Sequence, residues 1–104
     1  MGKKENMGFL GLCRKSGNLR CGHDAVKESI VSHKARLMIF SADISPRLED
    51  EMNHLAEIYG ADVPTVKTKC ARTDFAEGIG IGSAVFSVTD NGFAQKLRMM
   101  FGEE

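Results

Sequence analysis

Apolar positions along the chain follow two periods that alternate from segment to segment. Over 5–15, Met7, Leu10 and Cys13 recur at helical spacing with Phe9 and Leu12 beside them. Gly8 and Gly11 lower helix propensity there and predict close packing against a neighbour. Ser16-Gly17-Asn18 breaks this helix, and Leu19-Arg20-Cys21 is a short strand candidate. Gly22-His23-Asp24 opens a second helix to about Ser32, with Val26 and Ile30 facing inward. Leu37-Met38-Ile39-Phe40 is a continuous apolar run of strand length, the pattern of a strand buried on both faces. Ser45-Pro46 reads as an N-cap with proline at the first helical position. Behind it Leu48, Met52, Leu55 and Tyr59 form one stripe, the acidic residues 49–51 suit the helix N-terminus, and Gly60 ends it. Val63 to Val66 is a short strand whose Pro64 marks a sheet edge or a strand start. Thr73 to Gly78 is a short helix, and Ala84 to Val88 a second core strand. Asp90 then caps a last helix with Phe93, Leu97 and Met100 inward.

The resulting order, αβαβαβαβα, predicts an α/β/α sandwich with a largely central sheet. No repeat or linker interrupts it, so residues 1–104 read as a single domain. The 104 residues are 42% hydrophobic and 27% charged, a composition that supports one real core and an ordered chain. No run of eighteen apolar residues is present, which excludes a transmembrane helix. The start Met-Gly-Lys-Lys-Glu-Asn-Met lacks the apolar core and cleavage site of a signal peptide. Cys13, Cys21 and Cys70 are odd in number and show no Cys-x-x-Cys spacing, a pattern that fits reduced thiols. A cytoplasmic location with no membrane partner is the expectation.

Formal net charge is zero, 14 basic against 14 acidic residues, which argues against a typical basic nucleic-acid binder. Its distribution changes that picture. Residues 1–36 hold eight basic and three acidic side chains, a net of +5, whereas 37–64 hold one basic and six acidic, a net of −5. Such a dipolar surface permits a polyanion to bind one face. Arg14, Lys15, Arg20 and Lys27 flank the helix start at Gly22-His23-Asp24, where free backbone N–H groups and the positive end of the dipole suit a phosphate or a base edge. A solvated helix cap is the other reading of the same residues.

Other candidate chemistry is weaker. Gly78, Gly80 and Gly82 follow a helix and precede a strand, the reverse of a phosphate-binding loop, so they read as a helix C-cap and tight turn. Cys21, His23 and Asp24 have the types of a nucleophile, base and orienter, but adjacent residues align poorly in one hydrogen-bonded line. Cys21, His23, His33 and His54 lack metal-ligand spacing.

Several stretches taken together resemble a known family. They are Phe-Leu-Gly-Leu-Cys-Arg-Lys-Ser-Gly-Asn-Leu (9–19), Cys-Gly-His-Asp-Ala-Val (21–26), Lys-Ala-Arg-Leu-Met-Ile-Phe-Ser-Ala-Asp-Ile-Ser-Pro (34–46) and Ala-Val-Phe-Ser-Val-Thr-Asp-Asn-Gly-Phe-Ala-Gln-Lys-Leu (84–97). Over 7–101 the chain resembles the kink-turn-binding ribosomal protein superfamily of the archaeal large-subunit "seven-Ae" and "thirty-e" proteins, and within it the short bacterial YlxQ-like ribosomal-protein-like branch. The resemblance implies a three-layer α/β/α sandwich with a four-stranded mixed sheet. It also implies a non-enzymatic, cytoplasmic RNA-binding protein of ribosomes or another structured RNA, a ribonucleoprotein component with no cofactor, no metal and no small-molecule substrate.

The family's RNA signature, Gly-x-Asn-Glu-x-x-Lys, aligns with Gly22 to Glu28. Gly22 matches, whereas Asp24, Ala25 and Glu28 stand where the signature has asparagine, glutamate and lysine. Lys27 sits one residue early, about 100° around the helix. The signature is therefore degenerate. Asp43-Ile44-Ser45-Pro46 matches a second family contact at its aspartate, and Ile79 to Ser83 corresponds to the apolar loop that packs on extruded bases. The implied RNA contacts are Arg14, Lys15, Arg20 and Lys27 on phosphates, Gly22, His23 and Asp24 at the helix start, Asp43, and Ile81 on an unstacked base. The alternative is a protein-interaction adaptor that kept the fold and lost its RNA.

Overall fold

A computed structural model describes residues 3–59 and 62–103. The elements follow the order α1 (Lys3–Lys15), β1 (Leu19–Cys21), α2 (His23–Val31), β2 (Leu37–Phe40), α3 (Pro46–Ile58), β3 (Thr65–Lys67), α4 (Arg72–Ile79), β4 (Val85–Val88) and α5 (Asn91–Gly102). The four strands form one mixed sheet in the order β1-β4-β2-β3, in which β4 runs antiparallel to β1 and β2 while β2 and β3 are parallel. The three-layer α/β/α sandwich is present.

The two central strands explain the layering. All four residues of β2 and all four of β4 are buried, and successive side chains point to opposite faces. Leu37, Ile39, Phe86 and Val88 pack under α1, α4 and α5, with Leu10, Phe75 and Leu97 at the centre. Met38, Phe40 and Val85 pack under α2 and α3 against Val26, Ile30 and Met52. Ser87 also faces α2, where its hydroxyl meets that of Ser29 at 2.7 Å. That contact satisfies two polar groups that burial would otherwise penalise.

Three details differ from the sequence expectation. Strand β3 begins at Thr65 rather than Val63, because Val63 and Pro64 only approach the sheet. Pro64 has no N–H to donate, and its carbonyl instead accepts from the Met38 N–H at 2.9 Å. The strand does lie at an edge. Leu12 and Tyr59 point outward, Leu12 at 57% exposure, so their stripes are narrower than the spacing suggested. Gly8 faces open space, whereas Gly11 does lie against α4, where a Cβ would meet Ile79 Cγ2 at 3.9 Å. The tightest approach of α1 to α4 is at Gly78, where a Cβ would lie 2.6 Å from Met7 Cγ. The helix stop expected at Gly60 lies outside the described residues, although α3 does end by Tyr59.

Candidate nucleic-acid interface

Backbone pairing gathers four segments at one rim of the sheet. The Gly22 N–H donates to the Val85 carbonyl at 3.0 Å, that of Ser41 to Ala84 at 2.9 Å and that of Thr68 to Phe40 at 2.9 Å. The ends of β1, β2 and β3 and the approach to β4 therefore converge. This brings the start of α2, the 41–45 loop, the 68–71 segment and the 80–84 loop together. Gly22, His23, Asp24, Asp43 and Ile81 all lie on this rim.

The start of α2 differs from those of α3, α4 and α5. Ser45 Oγ accepts from Leu48 N–H at the start of α3, and Asp90 Oδ2 accepts from Phe93 N–H at the start of α5. At the start of α4, Asp74 accepts from the Ala71 N–H and Asp43 from the Arg72 N–H. Gly22 has no side chain to do the same, and α2 has no side-chain cap. The first-turn N–H groups of a helix have no intrahelical acceptor. Those of α2 therefore point outward with the positive end of the dipole. Gly22 sits at φ 91°, a conformation that disfavours any side chain at this turn.

Arg14 joins the rim from α1. Its Nη1 donates to the Ile79 carbonyl at 2.8 Å, closing the C-terminus of α4 just where Gly80 turns left-handed at φ 80°. That contact fixes the turn preceding Ile81, which is half-buried against the cluster under α1, α4 and α5. Cys21 lies within reach of the Arg14 and Arg20 charges. Burial pushes its thiol above the usual range and the two arginines oppose that shift. Cys13, deeper in the core, is pushed up to about 12 by burial, then by Asp90 and Cys21.

The remaining cations are more dispersed. Arg20 pairs in register with Ser87 and so stands on the α2 face of the sheet, the same face as the Gly22 helix start. Its guanidinium turns back to the Gly17 carbonyl at 2.8 Å, away from that start. Lys15 is exposed at the end of α1, and Lys27 lies on the outer face of α2 beside Asp24 and Glu28.

Two acidic contacts at the rim, His23 with Glu51 and Asp43 with Arg72, join residues too far apart in the chain for a local sequence signal. His23 Nδ1 bonds Asp24 at 3.0 Å and its Nε2 bonds Glu51 of α3, 28 residues away. An imidazole facing two carboxylates donates from both nitrogens only as imidazolium, and the Asp24 bond first, then Glu51, raises the His23 pKa above its ordinary 6.5. With both nitrogens so held, His23 forms no base for Cys21. Asp43 is bound by the Arg72 backbone N–H at 3.1 Å and its Nε at 3.3 Å. The Ser41 hydroxyl, then these Arg72 groups, hold its carboxyl below the usual value. Asp43 thus ties the β2–α3 loop to α4.

The sandwich is a fold that known proteins share. Among solved structures, a protein of unknown function from Bacillus halodurans superposes with a TM-score of 0.81 at 22% identity, covering 93% of this chain and 96% of that one. The Giardia lamblia 15.5kD RNA binding protein superposes with a TM-score of 0.67 at 15% identity, over 93% of this chain and 84% of that one. In sequence, the chain is 25% identical over 96 residues to the RNA-binding protein YlxQ of Enterococcus faecium, covering 92% of this chain and 90% of that protein. No family model matches the chain.

Proposed function

We propose that this is a non-enzymatic RNA-binding protein that engages a structured RNA, ribosomal or kink-turn-like, through the rim at the start of α2. The observation that carries the reading is the uncapped α2 N-terminus set beside the Ile81 loop. Free backbone donors suit a phosphate or base edge, and a half-buried apolar residue suits an unstacked base. Likeness to the RNA-binding YlxQ protein of Enterococcus faecium and to the RNA binding protein of Giardia lamblia favours the same partner.

The acidic side chains at the rim set the expected strength. Asp24 accepts but does not donate, and Glu28 repels phosphate where a lysine would neutralise it. The triple change Asp24→Asn, Ala25→Glu and Glu28→Lys moves net charge by +2 and restores a donor. Titration of a kink-turn RNA at two salt concentrations is the test: tighter binding by the variant, with a gain that shrinks at high salt, is expected. Equal binding by variant and parent at both salts overturns the contact assignment. Failure of the parent to bind ribosomal RNA even at low salt supports the protein-interaction adaptor instead.

A further inference from the structure

The opposite rim of the sheet carries a feature that RNA binding at the α2 start does not use. Three segments meet there. The α2–β2 connection enters with the Arg36 N–H on the Val88 carbonyl at 2.7 Å, the approach to β3 follows with Pro64 on Met38, and α5 begins at Asn91. Between them lies a concavity of about 380 Å³, within the range of small-ligand sites. Its floor is apolar: Ala35 and Ala94 are buried, and Val63 and Pro64 are half-buried.

The polar lining is what points to a ligand. Asn91, Gln95 and Arg98 project from one face of α5, at spacings of four and three residues. No hydrogen bond or ion pair holds any of these three side chains among the described residues. Arg36 faces them, its guanidinium fastened by Nη1 alone to the His33 and Ala35 carbonyls at 3.0 and 3.4 Å. Its Nε and Nη2 are thereby oriented without being used. The turn that presents it contains His33 at φ 61°, a left-handed conformation uncommon for a residue with a side chain. Charge is unbalanced, with Arg36 and Arg98 against Asp62.

We propose that this concavity is a second binding site, for a nucleotide unit bearing a phosphate. The two guanidinium forks match phosphate oxygens in geometry and charge. The Asn91 and Gln95 amides, which both donate and accept, match the polar edge of a base. The apolar floor formed by Val63, Pro64 and Ala94 takes its face. A free mononucleotide and a nucleotide of a single RNA strand present the same chemistry, and the experiment separates them.

The full-length protein, labelled with ¹⁵N, is titrated with adenosine 5′-monophosphate, adenosine, inorganic phosphate and a short single-stranded oligoadenylate. Saturable amide shifts at Arg36, Asn91, Gln95 and Arg98 with the monophosphate are expected, with adenosine weaker by tenfold or more. Arg98→Ala, at an exposed position that leaves the core intact, lowers monophosphate affinity by about tenfold, the loss of one charge-assisted contact. Tighter binding of the oligonucleotide than of the monophosphate identifies a strand as the source, and equal or weaker binding identifies the free nucleotide. No saturable shift at these residues overturns the proposal, as does adenosine binding as well as its monophosphate or an unchanged affinity in Arg98→Ala. None of these outcomes depends on RNA binding at the α2 rim, which the kink-turn titration reads separately.

Discussion

His23 concentrates the conflict at the α2 start in one side chain. An anion-binding helix terminus needs its N–H groups free, yet two carboxylates, Asp24 and Glu51, stand beside it. His23 relieves that repulsion only while charged. Its folded pKa is raised above the unfolded value, so its contribution to stability is fully present below about 6.5 and is lost as pH rises through the raised value. An NMR titration of the imidazole is expected to show a midpoint above 6.5, which Glu51→Gln lowers. A midpoint that does not move in Glu51→Gln would disprove the contact. In His23→Gln, this component of the pH dependence of thermal unfolding disappears. None of this was legible in the sequence. The nearest signal was the bare adjacency of His23 and Asp24, and the partner that bridges α2 to α3 is 28 residues away. Asp43 was singled out only through the family resemblance of Asp43-Ile44-Ser45-Pro46, and its contact with Arg72, 29 residues on, had no signal in the sequence.

Helices and strands were far more legible than contacts, because local chemistry writes their ends. Ser45 and Asp90 were readable as caps since a side chain that accepts from the third following N–H is a short-range event. β2 was readable as an unbroken apolar run, and β4 as a second core strand even though Ser87 interrupts its apolar residues. Interhelical approach was not, since a glycine states only that room exists and not which neighbour fills it. Gly8 and Gly78 make the point, and paired substitutions test it. At Gly78→Ala the new methyl meets Met7 Cγ at 2.6 Å and Met7 Cβ at 2.9 Å, and Met7 is itself buried. Overpacking of this kind costs roughly 1–3 kcal/mol. At Gly8→Ala nothing lies within 4 Å, and the helix gains roughly 0.5–1 kcal/mol from reduced backbone freedom. Urea unfolding of both variants is expected to move the midpoints in opposite directions. Parallel shifts would show that α1 and α4 do not meet at Gly78.

Across the whole molecule the basic third of the chain is divided between the two faces of the sheet, and its α2 part lies beside the acidic stretch. Residues 1–36 supply α1, β1 and α2, and the acidic stretch supplies α3, which shares a layer with α2. Glu51 therefore reaches the α2 start, and α3 does not stand clear of an incoming polyanion. Glu49 is partly offset by Lys67 at 3.1 Å, whereas Asp50 is exposed. On the proposed function, affinity for RNA comes chiefly from cations that reach phosphates around this acidic flank. Arg14 keeps its charge while bonded to Ile79, Arg20 while bonded to Gly17, and Lys15 and Lys27 are exposed. Phosphate contacts supply binding without sequence information, and each neutralised phosphate steepens the fall of affinity with salt. Four such contacts on looped RNA give a slope of roughly −3 in log affinity against log salt. Arg20 tests how far the RNA extends, because its guanidinium turns toward the α1–β1 connection and not toward Gly22. If the RNA spans both, Arg20→Gln reduces the slope by roughly 0.7. An unchanged slope would confine the RNA to the α2 start and the Ile81 loop. A flat dependence in the parent protein, combined with high affinity, would mean that base contacts rather than these four cations hold the RNA.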